Sequence, residues 1–209
     1  MSKINLSNTT LVAATSDKIS ETLKALKHCM NCCSFYDVKI FTHTPVGLKH
    51  KIINKIESKR DYDIFIVKDL PYEIESEYCL TIQYDGFIVN PNSWTDEFFD
   101  YDYIGAPWPW LEDLVGNGGF CLKSKKFLEC QKNIVKDIEI NNADDVTLSE
   151  ILRDNFISVG CKYAPSNLAY KFSTEHGSYE RNQSFGFHDF RLHKTFEKKF
   201  MSYKKVILK

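Results

Sequence analysis

The chain has 209 residues, 43% of them hydrophobic, and a formal net charge of −1. This apolar content is enough to close one sizeable core, and the length favours a single domain. The balanced charge argues against nucleic acid as the main partner, because proteins that coat nucleic acid carry a strong basic excess. The sequence contains no run of roughly 18 apolar residues that would span a bilayer, and its N-terminus shows no apolar secretory segment.

The cysteines indicate a reducing compartment. There are seven, an odd number, and Cys29, Cys32 and Cys33 crowd into one segment. Free thiols are the simplest interpretation. The Cys-x-x-Cys pair has no second pair to complete a zinc site. We therefore expect a cytoplasmic protein, in the host cytoplasm if its source is viral.

The first third of the chain alternates between strand and helix patterns. Residues 10–15 form an apolar run that ends in small polar residues, which predicts a buried strand opening into a loop. Asp17 stands where the N-cap of the next helix is expected. Residues 38–42 predict a second strand and residues 52–56 a third. The helix between the first two strands is predicted from apolar residues at spacings of four, three and four: Ile19, Leu23, Leu26 and Met30.

The same alternation continues further along the chain. Residues 62–68 predict a helix with an apolar face, residues 79–83 a buried strand, and residues 148–156 another helical stripe. Strands that alternate with helices indicate an α/β fold with a largely parallel sheet and helices on both faces. The segment 90–119 is richer in Pro, Gly and Trp, which suggests loops around a site.

The C-terminal segment differs in composition. Residues 191–209 carry seven basic side chains against one acidic side chain. A solvated helix or a lead into a further domain is one interpretation, and contact with a phosphate group, a membrane surface or a partner is the other. We therefore divide the chain into a main domain, 1–190, and a basic segment, 191–209, and leave open that the chain is fused to further domains.

An Asp-Gly pair at residues 85–86 has two interpretations. Between two apolar runs, Asp-Gly predicts a hairpin turn. Alternatively, Asp85 ends a central strand, where open α/β sheets bind their ligands, and its carboxylate holds a divalent cation against a diphosphate. The two interpretations are compatible because a turn can display its Asp.

The glycine-rich segment 116–119 matches neither common phosphate-binding motif. No Gly-Lys-Ser/Thr follows it, which excludes a P-loop, and position 121 is Cys where a dinucleotide fingerprint needs a third glycine. A glycine pair still lets the backbone approach a ligand closely. Nearby, Trp108 and Trp110 either stack on a sugar or cap the core.

Two acidic residues and one histidine complete the candidates. Asp144 and Asp145 precede the helical stripe, where they either cap the helix or supply an ionised carboxylate as a general base. Two adjacent acids exceed what capping requires. His188 lies among aromatic residues, where it is either a hydrogen-bonded core residue or a metal ligand.

Four short segments stand out: residues 83–87 (Gln-Tyr-Asp-Gly-Phe), 104–108 (Ile-Gly-Ala-Pro-Trp), 116–120 (Gly-Asn-Gly-Gly-Phe) and 185–188 (Phe-Gly-Phe-His). Taken in order, these segments resemble the small GT-A-type glycosyltransferase domains. The likeness extends from about residue 11 to residue 188. It implies a single-domain GT-A-like (Rossmann-like) α/β fold with a mixed, mostly parallel sheet flanked by helices.

The resemblance also implies an activity. A sugar would pass from a nucleotide-diphosphate donor, with a UDP-sugar favoured, to a hydroxyl of a glycan or glycoprotein acceptor, with inversion. Asp85 and His188 would hold Mn²⁺ or Mg²⁺, although Gln83 occupies the first acidic position of the usual Asp-x-Asp element. Asp145, paired with Asp144, would be the general base.

Further residues are assigned by the same resemblance. The donor would contact two loops, a basic residue and the glycine pair. The acceptor or a sugar would meet the tryptophans and the loop asparagine. The donor residues are Thr15, Ser16, Asp17, Lys68, Gln83, Tyr84, Gly118 and Gly119; the acceptor residues are Trp108, Trp110 and Asn117.

Two other functions remain open from the residues alone. A non-catalytic sugar- or nucleotide-binding module would explain why Gln83 stands at the first acidic position of the Asp-x-Asp element. A metal-dependent phosphoesterase or nucleotidyltransferase usually needs grouped carboxylates for paired cations, and Asp85 has no acidic neighbour within two residues.

Overall fold

The computed structural model describes residues 3–108, 110–111, 114–175 and 183–189. Within these ranges the chain forms an α/β fold around a six-stranded sheet. No helix in the described ranges is both long enough and apolar enough to cross a membrane. The basic segment 191–209 lies outside the described residues, so the division of the chain at residue 190 stays a prediction.

The chain begins with a strand, a helix and a second strand, which form a βαβ unit. Later strands and helices are shorter. Two π-helical segments, Phe65–Asp69 and Thr147–Ile151, continue the helices Lys59–Ile64 and Asp144–Val146. Short 3₁₀ turns occupy Leu70–Glu73, Pro91–Ser93 and Asp96–Asp100. The strands are β1 Ile4–Ala14, β2 Cys33–Thr42, β3 His50–Ile52, β4 Tyr78–Ile82, β5 Gly86–Ile88, β6 Tyr103–Ile104, β7 Phe120–Ser124, β8 Ser173–Thr174 and β9 Gly186–His188; the helices are α1 Ile19–Cys32, α2 Lys59–Ile64, α3 Lys125–Ile134, α4 Asp144–Val146, α5 Arg153–Ser158 and α6 Ser166–Phe172.

The large sheet is mixed and mostly parallel. Its strand order is β3-β2-β1-β4-β7-β6. The first four strands are parallel, whereas β7 runs antiparallel to β4 and β6 runs antiparallel to β7. A second, three-stranded sheet has the order β5-β9-β8. The fold class predicted from the sequence is confirmed.

Strand β1 explains why the core has two sides. Leu11 and Ala13 belong to the larger hydrophobic cluster, whereas Val12 and Ala14 belong to the smaller one. Successive side chains of a strand point to opposite faces of a sheet, so the apolar run in β1 is continuous because both faces are covered. Helix α1 buries Leu26 in the larger cluster, and the segment Phe65–Asp69 covers the other face.

Several predicted boundaries moved. The third strand was predicted at 52–56 and lies at His50–Ile52, where it pairs with β2. Asp17 is not the N-cap of α1, because Lys18 takes that position in a left-handed conformation (φ 50°). The Asp17 carboxylate instead accepts the Lys18 N–H at 2.8 Å. The helical stripe 148–156 is divided between the segment Thr147–Ile151 and α5.

Candidate active site

The carboxyl ends of β1 and β4 bring two predicted segments together. These strands pair in parallel, with Val12 opposite Thr81, so the loops that follow them begin at the same edge of the sheet. Residues 15–17 follow β1, and residues 83–85 follow β4. Open α/β sheets bind ligands at this edge.

The Asp-Gly pair forms a turn that displays its aspartate. The Gly86 N–H donates to the Gln83 carbonyl at 3.2 Å, as the turn interpretation predicts. Strands β4 and β5 nevertheless belong to different sheets, so this turn passes the chain from the large sheet to the small one. Asp85 lies in the turn with 7% of its surface exposed.

Asp85 and His188 meet although they are distant in sequence. Strand β9 pairs antiparallel with β5, with His188 opposite Gly86. His188 Nε2 lies 3.5 Å from Asp85 Oδ1 and 3.2 Å from Gln83 Oε1. On the other side of the ring, His188 Nδ1 lies 3.2 Å from Glu175 Oε1. The imidazole therefore bridges the turn after β4 and the chain after β8.

The surroundings of His188 fix both its charge and its position. Burial alone would lower the His188 pKa, but the carboxylates of Asp85 and Glu175 raise it to about 10. A Cβ atom at Gly119 would come within 2.3 Å of His188 Nε2, and one at Gly86 within 3.0 Å of His188 Cδ2. These glycines therefore leave the space that the imidazole ring fills.

The donor atoms at this point suit a divalent cation once His188 loses its proton, because only the neutral imidazole binds a metal and metal binding releases protons. Asp85 Oδ1 is buried, and its polar contact in the described structure is His188 at 3.5 Å. The described residues include no group of three or more His, Cys, Asp or Glu side chains that could hold a metal. Besides Asp85 and His188, Gln83 Oε1 would offer a third donor atom, because it lies 3.2 Å from His188 Nε2. Mg²⁺ is often bound by one or two carboxylates together with water and substrate phosphates, so the residues fit a cation that protein and nucleotide hold jointly.

The predicted donor loop lies beside this point. Burial, and then the charges of Asp85 and Asp17, raise the Tyr84 pKa, which indicates that Asp17 faces the same region as Asp85. The Ser16 hydroxyl accepts the Ile56 N–H at 2.8 Å, and the Thr15 hydroxyl donates to the Asp17 carbonyl. The loop is thus held by its own polar side chains.

Lys68 is placed differently. It is half-buried in the segment Phe65–Asp69, and it lowers the pKa of Asp69, which burial and Glu73 raise. These contacts do not connect Lys68 to Asp85, so its role at the donor stays a prediction.

The glycine-rich loop is pinned by Asp145. Asn117 is fully buried and left-handed (φ 62°), a conformation that Asn tolerates better than most residues. Its N–H donates to Asp145 Oδ2 at 3.1 Å, and its Oδ1 accepts the Gly119 N–H at 3.2 Å. Asn117 Nδ2 is buried with no hydrogen-bond partner among the described residues. A buried donor left without a partner is costly.

The acidic pair is not used simply to cap its helix. Ala143 holds the N-cap position without a side-chain bond. Asp63, from α2, accepts the Asp144 N–H at 3.0 Å and is itself paired with Lys59 at 2.7 Å. Asp63 thus supplies the cap from another helix, a contact that sequence spacing does not reveal.

The two members of the pair have different environments. Asp144 is buried, and its Oδ2 has no hydrogen-bond partner in the described structure. Burial, and then the charge of Asp145, raise the Asp144 pKa to about 7, against the opposing effect of Lys123. Asp145 is less buried and accepts the Val146 N–H at 2.9 Å as well as the Asn117 N–H.

A cavity of about 220 Å³ adjoins Asp145. The Trp108 and Trp110 rings lie 6.5 Å apart, inclined by 14°; Trp108 is buried and also packs on Gly116, whereas Trp110 is 61% exposed. Glu150 and Glu175 were not predicted from the sequence, and no local pattern marks them. The lining residues are Trp108, Trp110, Asp145, Val146, Glu150 and Glu175.

Replacing Gly118 by Ala should destabilise the site. Its Cβ would lie 2.0 Å from Asp144 Oδ2, and overpacking of this kind costs about 1–3 kcal/mol. Urea unfolding measures the loss. Gly47→Ala is the matched control, because a Cβ there meets nothing within 4 Å, and it should change the free energy of unfolding by less than about 0.5 kcal/mol. Equal stability of both variants would contradict the packing described.

Asp144 should make stability depend on pH. Its folded pKa, about 7, exceeds the ordinary value of 3.8, so the folded state binds more protons between these values. The contribution of Asp144 to the free energy of unfolding should therefore fall as pH rises from about 4 to 7 and stay constant above pH 7. Asp144→Asn should remove this slope and be more stable than wild type at pH 8 by about 2–4 kcal/mol. Denaturant titrations at pH 4, 6 and 8 test this. The same dependence of unfolding free energy on pH in the variant as in the wild type would contradict it. Asp100→Asn, at an exposed side chain, is the control.

Comparison with known proteins identifies a family and several proteins of similar fold, two of which are described below. Residues 48–188 match the family model described as "Protein of unknown function (DUF5672)". No curated protein matches the chain in sequence. A glycosyltransferase involved in the glycosylation of the major capsid of PBCV-1 has a similar structure, with a TM-score of 0.55 and 13% identity over 86% of this chain and 91% of that chain.

The second neighbour is a mannosyltransferase from Pyrobaculum calidifontis in complex with GDP-Man and Mn²⁺. Its TM-score is 0.51 and its identity 8%, over 76% of this chain and 54% of that chain. Both neighbours are glycosyltransferases. In size and motifs the present sequence also resembles the N-terminal domain of a chlorella-virus enzyme that builds capsid glycan. Identities this low restrict each likeness to the fold.

Proposed function

The chain belongs to the DUF5672 family, and we propose that this member of the family is a metal-dependent glycosyltransferase acting on a nucleotide-diphosphate sugar. One observation carries the proposal. The contact of His188 Nε2 with Asp85 and Gln83 and the cavity lined by Asp145 adjoin each other, because Glu175 contacts His188 and also lines the cavity. A donor site and an acceptor site must adjoin in this way for direct transfer.

The donor side is assigned to the edge of the sheet after β1 and β4. The loop of residues 15–17 and Tyr84 receive the nucleoside. UDP is the favoured nucleotide by resemblance. Gly118 and Gly119 are assigned to the floor of the donor site by resemblance. Side chains at these positions would collide with Asp144 and His188.

Asp85, His188 and Gln83 would hold Mn²⁺ or Mg²⁺ against the diphosphate. The cation would supply positive charge that neutralises the leaving group. The GDP-Man and Mn²⁺ of one fold neighbour are consistent with this assignment.

The acceptor side is assigned to the cavity. Asp145 takes the proton of an acceptor hydroxyl, and the oxygen attacks the anomeric carbon from the face opposite the diphosphate. The bond from the anomeric carbon to the diphosphate oxygen breaks, its electrons leave with the diphosphate, and the configuration inverts. Asp145 rather than Asp144 is the base because Asp145 lines the cavity, whereas Asp144 is buried beneath Gly118.

Two alternatives are separated by specific observations. A phosphoesterase or nucleotidyltransferase with paired cations needs grouped carboxylates, and the described residues offer no such group. A non-catalytic sugar- or nucleotide-binding module is favoured by Gln83 in place of an acid. A lectin of that kind binds free glycan without metal, whereas the proposed enzyme binds a nucleotide diphosphate with metal.

A transfer assay tests the proposed function. UDP- and GDP-sugars are incubated with Mn²⁺ and a set of glycan acceptors, and products are identified by mass spectrometry. Addition of one sugar to an acceptor, dependent on Mn²⁺ or Mg²⁺, is expected. Release of free sugar alone does not distinguish the alternatives, and metal-independent glycan binding without transfer would favour the binding module.

A further inference from the structure

The cavity next to Asp145 has an unusual charge for a site beside a diphosphate. Three of its six lining residues are acidic: Asp145, Glu150 and Glu175. In the described part of the chain, none of the lining residues is basic. A phosphorylated or carboxylated ligand would therefore enter a field of like charge.

The acidic side chains are held in different ways. Asp145 accepts two backbone N–H groups, and Glu175 contacts the His188 ring. Glu150 lies exposed on the π-helical segment Thr147–Ile151. Of the three acidic residues, Glu150 is therefore the one that can be substituted without disturbing the glycine-rich loop or His188.

The remaining lining is aromatic and fits a sugar ring. Trp110 is 61% exposed at a position that an isolated soluble domain seldom gives to Trp. Its ring lies nearly parallel to that of the buried Trp108, so the exposed Trp110 offers a flat apolar surface to the C–H face of a saccharide. Carboxylate oxygens accept hydrogen bonds from hydroxyl groups. The aromatic surface and the carboxylates therefore suit a polyhydroxylated ring.

Resting on the proposed function, we infer that this cavity takes an uncharged saccharide unit of the acceptor, and that Asp145 and Glu150 select against acidic sugars. A uronic acid differs from its parent hexose by one carboxylate. That carboxylate would share the cavity with Asp145, Glu150 and Glu175. His188 offsets the charge of Glu175. The repulsion therefore comes mainly from Asp145 and Glu150, and in a partly desolvated cavity it is stronger than in bulk water. The acidic saccharide should bind at least about tenfold more weakly than its neutral parent.

Matched pairs of sugars test the inference without any donor. Methyl glycosides of glucose, galactose and mannose are each compared with the corresponding methyl uronide, with binding followed by tryptophan fluorescence at pH 7. The chain has three tryptophans, and two of them line the cavity. At least one neutral sugar should give a saturable signal, and its uronide should bind at least about tenfold more weakly, with the difference shrinking at high salt.

Variants place the effect in the cavity. Glu150→Gln should reduce the ratio of the uronide Kd to the Kd of its parent sugar, here called the gap, by about threefold or more. Glu139→Gln, at an exposed glutamate paired with Arg60, is the matched control and should leave the gap unchanged. Trp110→Ala should remove the signal for the neutral sugar.

The outcomes separate this inference from the proposed function. Equal binding of sugar and uronide, saturation by no neutral sugar, or an unchanged gap in Glu150→Gln would each overturn the inference, even if transfer is observed. Selective binding of the neutral sugar together with no transfer to any acceptor would sustain the inference and overturn the proposed enzyme.

Discussion

Asp145→Asn is expected to lower the rate of sugar transfer by roughly 10²–10⁴-fold, the usual contribution of a general base. An amide cannot accept the proton of the acceptor hydroxyl. The amide oxygen can still accept the Asn117 N–H that Asp145 accepts in the wild type, so the glycine-rich loop should keep its position. Steady-state rates should therefore fall while the Kd of the nucleotide sugar stays nearly unchanged.

The control for this variant is Asp144→Asn. Asp144 is buried and does not line the cavity, so its neutralisation should reduce kcat much less than that of Asp145. An Asp145→Asn enzyme with wild-type kcat would overturn the assignment of the base. Loss of donor binding in the same variant would instead indicate that the side chain is needed to hold the loop.

Asp85→Asn is expected to weaken metal-dependent binding of a nucleotide diphosphate by at least about 100-fold. Asp85 is the carboxylate on the Nε2 side of His188, and Asn keeps its shape while removing the charge that attracts a cation. Thermal shift with UDP or GDP in the presence of Mn²⁺ measures the effect. The variant should show almost none of the wild-type stabilisation by ligand, which grows with the ratio of ligand concentration to Kd.

An exposed aspartate provides the control for Asp85. Asp100→Asn, in the turn Asp96–Asp100, removes the same charge elsewhere in the chain and should keep the full shift. If Asp85→Asn bound nucleotide with Mn²⁺ as well as the wild type, the carboxylate would not be a metal ligand and the site would have to lie elsewhere.

The sequence predicted the fold class because two signals were strong. The apolar run of β1 and the helical spacing of α1 are local patterns, and both elements are present, although β1 begins at Ile4, six residues before the predicted start. The weaker boundaries depended on contacts. Strand β3 is set by its pairing with β2, with Ile40 opposite His50, and not by the apolar residues after Ile52. A short edge strand has little local pattern from which its register can be predicted.

Part of the candidate site could also be predicted. The turn at Asp85 is a local signal, and the pairing of β5 with β9 brings His188 to it, as the metal hypothesis required. The roles of these residues stay predictions.

Other contacts at the site lay beyond the reach of sequence patterns. Asp63 caps a helix 81 positions away, and Glu150 and Glu175 reach one cavity from different segments. Such contacts depend on how the elements pack, which the spacing of residues along one element does not encode.

Calorimetric titration of UDP and GDP into the wild-type chain, once with Mn²⁺ and once with EDTA, tests the central claim most directly. If Asp85, His188 and Gln83 hold a cation beside a diphosphate, one of the two nucleotides should bind saturably with Mn²⁺ and at least about tenfold more weakly with EDTA. The same affinity in both buffers, or no binding of either nucleotide with Mn²⁺, would contradict the account.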